Sequence, residues 1–191
     1  MQELNIINEN DEIIGTDTRE NIHKNGLLHR EIHVCIFNDQ GEVLLQRRGM
    51  NKDTYPGLLD VSVGGHMEIG ATYETTAVKE IEEETGLKIE KKNLVFLEKI
   101  RRSSFDVKTG MKNNSIRYVY AYRYNGLAED LKLEAGEATS LEFWPIERLL
   151  NLKEEEKKDF VPSIVNGNFS GIFEKIKILL SELTSKNEKS H

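Results

Sequence analysis

Cysteine is almost absent from this sequence: Cys35 is the single one among 191 residues, so no disulfide can form within the chain. It lies in the apolar segment Ile32-His33-Val34-Cys35-Ile36-Phe37, which suits a small core side chain better than a nucleophile. Long hydrophobic runs are absent too. None approaches the roughly 20 residues needed to span a bilayer, which excludes a transmembrane helix. The opening Met1-Gln2-Glu3-Leu4-Asn5 has neither the basic region nor the apolar stretch of a secretory signal, so a cytoplasmic address is expected. Positive charge is in deficit, with 26 Lys and Arg against 33 Asp and Glu. The net charge of -7 opposes non-specific binding to nucleic acid or to an anionic membrane. A small phosphorylated ligand remains compatible, provided a metal ion screens the repulsion. What is present is 38% hydrophobic and 31% charged residues in a length that fits one decorated domain, without an internal repeat.

The pattern along the chain alternates strands and helices. Leu4–Ile7 and Glu12–Gly15 flank Asn8-Glu9-Asn10-Asp11 and read as an N-terminal hairpin. Thr18 is placed to cap a short helix over Arg19–Lys24, ended by Asn25-Gly26. Ile32–Phe37 and Glu42–Gln46 flank a turn closed by Gly41, and Val61-Ser62-Val63 leads into Gly64-Gly65. Leu94–Arg101, Ile116–Tyr124 and Leu141–Ile146 carry strand-forming residues, with the polar stretch Phe105–Asn114 expected as a long connection that overhangs a site. A short helix is expected over Ile146–Leu150, then a solvated charge run over Lys153–Lys158. Phe169–Leu183 reads as an amphipathic helix, and Thr184–His191 as a frayed end. The resulting plan has a hairpin and short helix in residues 1–28, a core in 29–152 and a helical extension of the same domain in 153–191.

Chemistry concentrates on one helix, expected from about Thr72 to Thr85. Five glutamates lie between Glu74 and Glu84, and Glu80, Glu83 and Glu84 fall at i, i+3 and i+4 on one face. Like charges so spaced destabilise an isolated helix by a few tenths of a kcal/mol per pair, roughly, and Mg²⁺ or Mn²⁺ on the carboxylates would remove that repulsion. Ala77, Val78 and Ile81 supply the opposite face, Thr72 an N-cap and Gly86 a C-terminal stop. Before the helix, Gly64-Gly65-His66-Met67-Glu68-Ile69-Gly70 reads as a flexible loop whose backbone can approach a phosphate or aim a carbonyl at a metal.

These residues resemble the Nudix box, G-x5-E-x7-R-E-U-x-E-E-x-G-U with U a bulky aliphatic. Gly65, Glu80, Ile81, Glu83, Glu84, Gly86 and Leu87 match, which is seven of the nine specified positions. Ala71 stands where the first Glu belongs, and Lys79 where the Arg belongs. The segments His29-Arg30-Glu31, Gly41–Arg48, Tyr55-Pro56-Gly57 and Phe143–Leu149 extend the resemblance, toward the branch close to isopentenyl-diphosphate isomerase. The resemblance implies an α/β fold, an α/β/α sandwich with a mixed sheet, N-terminal β-hairpin and C-terminal helix. It implies a metal-dependent hydrolase that cleaves the pyrophosphate linkage of a nucleoside diphosphate derivative by attack of water. It also implies Mg²⁺ or Mn²⁺ held by the Gly64 carbonyl with Glu80, Glu83 and Glu84, and a catalytic carboxylate among Glu80, Glu83 and the loop residue Glu137. Arg47, Arg48, Lys52, Gly65 and His66 become candidates to bind phosphate. Relatives commonly form homodimers.

Two other readings share the fold. The isomerase would carry a cysteine two residues before the box histidine, where this chain has Gly64, and metal-binding glutamates on the strand that here reads Asn113-Asn114-Ser115-Ile116-Arg117. His23, His29 and His66 fall near the places of its histidine ligands, although lone histidines are more often structural. A nucleotide-binding module that has lost turnover through Ala71 and Lys79 is the other. Tyr118, Tyr120, Tyr122 and Tyr124 share one strand face and suit either base stacking or a half-buried sheet.

Overall fold

The computed structural model describes residues 2–188. Its elements in chain order are β1 (Glu3–Ile7), β2 (Ile13–Thr18), α1 (Arg19–Asn25), β3 (His29–Phe37), β4 (Glu42–Arg48), β5 (Leu59–Val61) and β6 (Val63–His66). Then come α2 (Tyr73–Thr85), β7 (Val95–Phe105), β8 (Lys112–Arg123), β9 (Ala138–Pro145), α3 (Ile146–Leu150), α4 (Glu154–Lys157), α5 (Pro162–Val165) and α6 (Ser170–Glu188). The α/β class, the N-terminal hairpin and the C-terminal helix stand as read from the sequence. Two compact units make up the chain, Met1–Val34 with Val63–Tyr120, and Cys35–Ser62 with Ala121–His191.

In the first unit, β1 and β2 pair antiparallel around a turn that holds Asp11 at φ 67°, a left-handed conformation Asp tolerates. Thr18 caps α1 by accepting the Asn21 N–H, and Gly26 ends it at φ 68°. β3 pairs antiparallel with β6 in the register Glu31↔His66, Ile32↔Gly65 and His33↔Gly64. β8 lies between β3 and β7. Ile22 of α1, Ile32 of β3, Val63 of β6 and Ala77 with Ile81 of α2 are fully buried, each larger side chain contributing about 1.5–3 kcal/mol relative to exposure.

In the second unit, β4 pairs antiparallel with β5 and β9, and a parallel bridge joins Leu59 to Phe160. Cys35 is fully buried here, and burial pushes its thiol up to about 12, which agrees with a core side chain rather than a nucleophile. Ile172, Phe173 and Ile176 form the buried stripe of α6, and Phe169 is buried just before it.

Three local expectations are corrected. Gly64-Gly65-His66 is not flexible loop but strand β6, because the edge of β3 offers its backbone a partner along the whole segment. The long connection over Phe105–Asn114 shrinks to a turn at Asp106–Met111, with its flanks absorbed into β7 and β8. Asp106 organises that turn by accepting the Lys108 and Thr109 N–H groups, and the polar residues Arg102, Ser103 and Ser104 hid the continuation of β7 beyond Arg101. The terminal helix continues through Glu188 rather than fraying from Thr184, and Lys189–His191 lie outside the described residues. Among the described residues, no helix is long and apolar enough to cross a membrane.

Candidate functional site

Helix α2 starts on a capping box in which Thr72 and Thr75 satisfy each other's backbone N–H groups, and it stops at Gly86 with φ 73°. With both ends fixed, the three facing glutamates take different depths. Glu84 is buried, Glu80 half-buried and Glu83 exposed. The Glu84 carboxylate accepts the Gly64 N–H at 3.3 Å. The Glu80 carboxylate occupies the space that a Cβ on Gly65 would need. A Cβ on Gly64 would in turn meet the His33 ring at 2.9 Å. Neither glycine has a positive φ, so close approach of side chains, and not backbone freedom, requires them. The result is an oxygen-lined cradle of Glu80, Glu84 and the Gly64-Gly65 backbone, the donor chemistry that Mg²⁺ or Mn²⁺ takes.

The two departures from the box acquire a local logic. Lys79 Nζ lies 3.0 Å from Glu83 Oε2 and 3.0 Å from Glu68 Oε1. Its hydrogen bond to Glu83 raises the Lys79 pKa, opposed by burial and helped by Glu68. Glu68, three residues before Ala71, thus supplies a carboxylate to the cation that replaces the box Arg. Both pairs are about half-exposed, so each is worth under about 1 kcal/mol.

Arg47, Arg48, Lys52 and Glu137, also candidates from the sequence, lie in the second unit, each paired there. Arg47 donates to the Gly57 carbonyl at 3.0 Å and pairs with Glu142 at 3.4 Å. Arg48 pairs with Asp60 at 3.1 Å, and Lys52 with Glu137. Gly49 N–H also donates to the Glu137 carbonyl at 2.7 Å, which joins the Lys52 segment to the Glu137 loop.

Sequence reasoning missed a buried polar cluster in the first unit. Glu31 Oε2 accepts from Ser115 at 2.7 Å and from Arg117 at 2.7 Å, while Oε1 accepts Asn113 Nδ2 at 2.8 Å. Burial alone would raise the Glu31 pKa, but the Arg117 guanidinium, with His29 and His66, holds it well below the usual carboxylate range. His66, a sequence candidate for phosphate, stacks on His29 and approaches His23 at 3.2 Å. Burial drives its imidazole down to about 3, against the pull of Glu31. The available signal was Glu31 and Arg117, each next to a buried isoleucine, Ile32 and Ile116, on its strand. Of the tyrosine row, Tyr118 stacks on Tyr73 at 3.7 Å and Tyr120 is buried, which fits a sheet face.

Known proteins share similarity with most of this chain. The chain is 33% identical over 166 residues to Nudix hydrolase 3 of Arabidopsis thaliana, a match covering 83% of this chain and 21% of that protein. It is 31% identical over 123 residues to isopentenyl-diphosphate Delta-isomerase 2 of Photorhabdus laumondii, covering 64% of this chain and 65% of that one. The crystal structure of DR0079 from Deinococcus radiodurans superimposes with a TM-score of 0.60 at 27% identity, covering 78% of this chain and 87% of that chain. A family model for the NUDIX domain matches residues 27–164, which include the whole of the α2 cradle, and the chain belongs to that family.

Proposed function

We propose that this chain hydrolyses a pyrophosphate linkage in a nucleoside diphosphate derivative, with Mg²⁺ or Mn²⁺ at the carboxylate face of α2. The observation that carries the reading is the placement of Glu80 and Glu84 against Gly64-Gly65, where a methyl group at either glycine would collide with a neighbouring side chain. Gly64 through its carbonyl, with Glu80, Glu83 and Glu84, would hold the cation. When bound, it screens phosphate oxygens and lowers the pKa of an attacking water. The residues of the chain do the rest. Gly65 lets the backbone approach a phosphate closely, and Glu80 takes the proton of the attacking water. Glu137 is the second candidate for that proton, and Glu83 then serves the cation alone. Arg47, Arg48 and Lys52 would bind phosphate by exchanging Glu142, Asp60 and Glu137 for substrate oxygens. The absence of a cysteine at Gly64 and of carboxylates at Asn113 and Ser115 speaks against the isomerase.

Purified chain assayed with Mg²⁺ or Mn²⁺ over nucleoside triphosphates, dinucleotides, nucleotide sugars and isopentenyl diphosphate tests the proposal. Release of phosphate or nucleoside monophosphate is expected, abolished in Glu84→Gln and lowered about 10²–10⁴-fold in whichever of Glu80→Gln and Glu137→Gln removes the base. An isomerised diphosphate without hydrolysis, or nucleotide binding without turnover, would sink it.

A further inference from the structure

The family match begins at residue 27, so the N-terminal hairpin lies outside it. That hairpin is nevertheless built into the first unit. Leu4 and Ile7 of β1 are 1% and 2% exposed, and Leu4 forms an antiparallel bridge with Glu68, in the segment that joins β6 to α2. Its turn sets Asp11 against three further elements. The Asp11 carboxylate accepts Arg30 Nε of β3 at 2.6 Å and the Tyr73 hydroxyl of α2 at 3.0 Å to each oxygen, and it pairs with Lys99 Nζ of β7 at 3.3 Å. The Asp11 carbonyl accepts a second donor from Arg30. With its side chain only 12% exposed and its backbone at φ 67°, Asp11 is turned into the protein. Burial and the Asp11 charge push the pKa of the Tyr73 hydroxyl up from its ordinary value, so it stays a donor. The Tyr73 ring stacks on Tyr118 of β8 at 3.7 Å, with 13° between the planes.

Tyr73 is the first residue of α2, and the helix carries its direction forward. At about 100° per residue, steps of seven and eleven residues return to within about 20° of the start, so Tyr73, Glu80 and Glu84 share one line along the helix. A rotation of the helix by about 10° carries side-chain ends, about 5–6 Å from its axis, through about 1 Å. Reacting groups displaced by about 1 Å can lose about 10²-fold in rate. The capping box of Thr72 and Thr75 is internal to the helix and cannot set its rotation against the sheet. Tyr73 can, because Asp11 holds its hydroxyl and Tyr118 its ring. We propose that Asp11 is a positioning residue for the cation face: acting through Tyr73, it sets the rotation of α2 and with it the place of the Glu80 and Glu84 carboxylates beside Gly64-Gly65. The bridge from Leu4 to Glu68 adds a second hold on the same face, since Glu68 pairs with Lys79 and Lys79 with Glu83. The hairpin outside the family match thereby becomes part of the machinery of the site, a role that rests on the reading of α2 as a cation face.

The test compares Mn²⁺ binding and turnover in the full chain and its variants. Tyr73→Phe keeps the ring on Tyr118 and loses the donor to Asp11. Asp11→Gly keeps the left-handed turn and loses the carboxylate, whereas Asp11→Asn keeps both the turn and an acceptor for the Tyr73 hydroxyl. Mn²⁺ uptake is followed by the electron paramagnetic resonance of the free ion, and the uptake that Glu84→Gln removes is assigned to α2. Tyr73→Phe and Asp11→Gly are expected to weaken that uptake several-fold and to lower kcat by about tenfold or more, with KM changed by less than about twofold. The double variant should be no worse than the worse single one, because both break one path, and Asp11→Asn should recover most of the loss. A hairpin that only stabilises would lower the thermal midpoint and leave the Mn²⁺ affinity and kcat of the folded variants at parent values. That outcome, or losses that add in the double variant, overturns the role. Where Asp11→Gly fails to fold, Tyr73→Phe decides. If the parent binds Mn²⁺ but hydrolyses nothing on the panel, the hydrolase reading fails and the Mn²⁺ affinities decide the role alone. A parent without Mn²⁺ uptake that depends on Glu84 overturns the role together with the cation face.

Discussion

The carboxylate face of α2 and the imidazole nest of His23, His29 and His66 both lie in the first unit, yet they are assembled in opposite ways. The face takes its oxygen donors from a single helix, graded from buried Glu84 to exposed Glu83. The nest gathers nitrogen donors from three elements around a buried carboxylate. Helical spacing alone brings the glutamates together, whereas only the packing of α1 with β3 and β6 brings the histidines together. The difference decides both what each cluster can hold and how much of the fold depends on it. Half-exposed charges repel each other weakly and are relieved by water or by a hydrated cation, but a buried charge must be answered by the protein itself.

The sharpest way to break the comparison is therefore Arg117→Met. Its guanidinium and the Glu31 carboxylate are each 7% exposed and 2.7 Å apart. Removing the cation leaves a buried anion uncompensated, so a loss of about 3–5 kcal/mol in unfolding free energy is expected by denaturant titration. The double variant Glu31→Met with Arg117→Met should recover much of that loss, because the charge itself is gone. A loss below about 1 kcal/mol in Arg117→Met would mean that the nest is no more demanding than a surface pair.

How far each cluster was legible follows from the same contrast. The i, i+3, i+4 glutamates, the Thr72 cap and the Gly86 stop are local rules, and α2 came out within a residue of the expected span. The role of Gly64-Gly65 was read as loop flexibility, because nothing local says that the Glu80 carboxylate and the His33 ring will fill the missing Cβ positions. The histidines were brought together only by the resemblance, not by any local rule. His23, His29 and His66 are separated by intervals with no helical or strand period in common, and the β3–β6 register sets His66 opposite Glu31. Likewise the strand expected over Leu94–Arg101 ran on to Phe105 behind the polar residues Arg102, Ser103 and Ser104, since hydrophobic patterning reports burial and not hydrogen bonding.

On the face, Gly65→Ala is the next largest perturbation. The new methyl group would overlap the Glu80 carboxylate, so either the strand or the helix must shift. Overpacking of this kind costs about 1–3 kcal/mol. Turnover should fall more than stability, because the displaced group is the one assigned to the cation and the proton. A variant with full turnover and an unchanged thermal midpoint would show that Glu80 is not held where the cradle needs it.

The smallest expected effect is at Lys79, and it separates a stability role from a competitive one. Its two carboxylate partners are about half-exposed, so Lys79→Ala should cost under about 1 kcal/mol, less at high salt, in thermal or denaturant unfolding. The same ammonium group occupies an oxygen of Glu83, a carboxylate assigned to the cation. Freeing that oxygen should lower the Mg²⁺ concentration needed for half-maximal turnover by a few-fold, while Lys79→Arg should leave it close to the parent value, since the positive charge and its reach to Glu83 persist. If Lys79→Ala instead raises the Mg²⁺ requirement, then Lys79 organises Glu83 for the cation rather than competing with it. The Lys for Arg departure would then preserve the function of the box position.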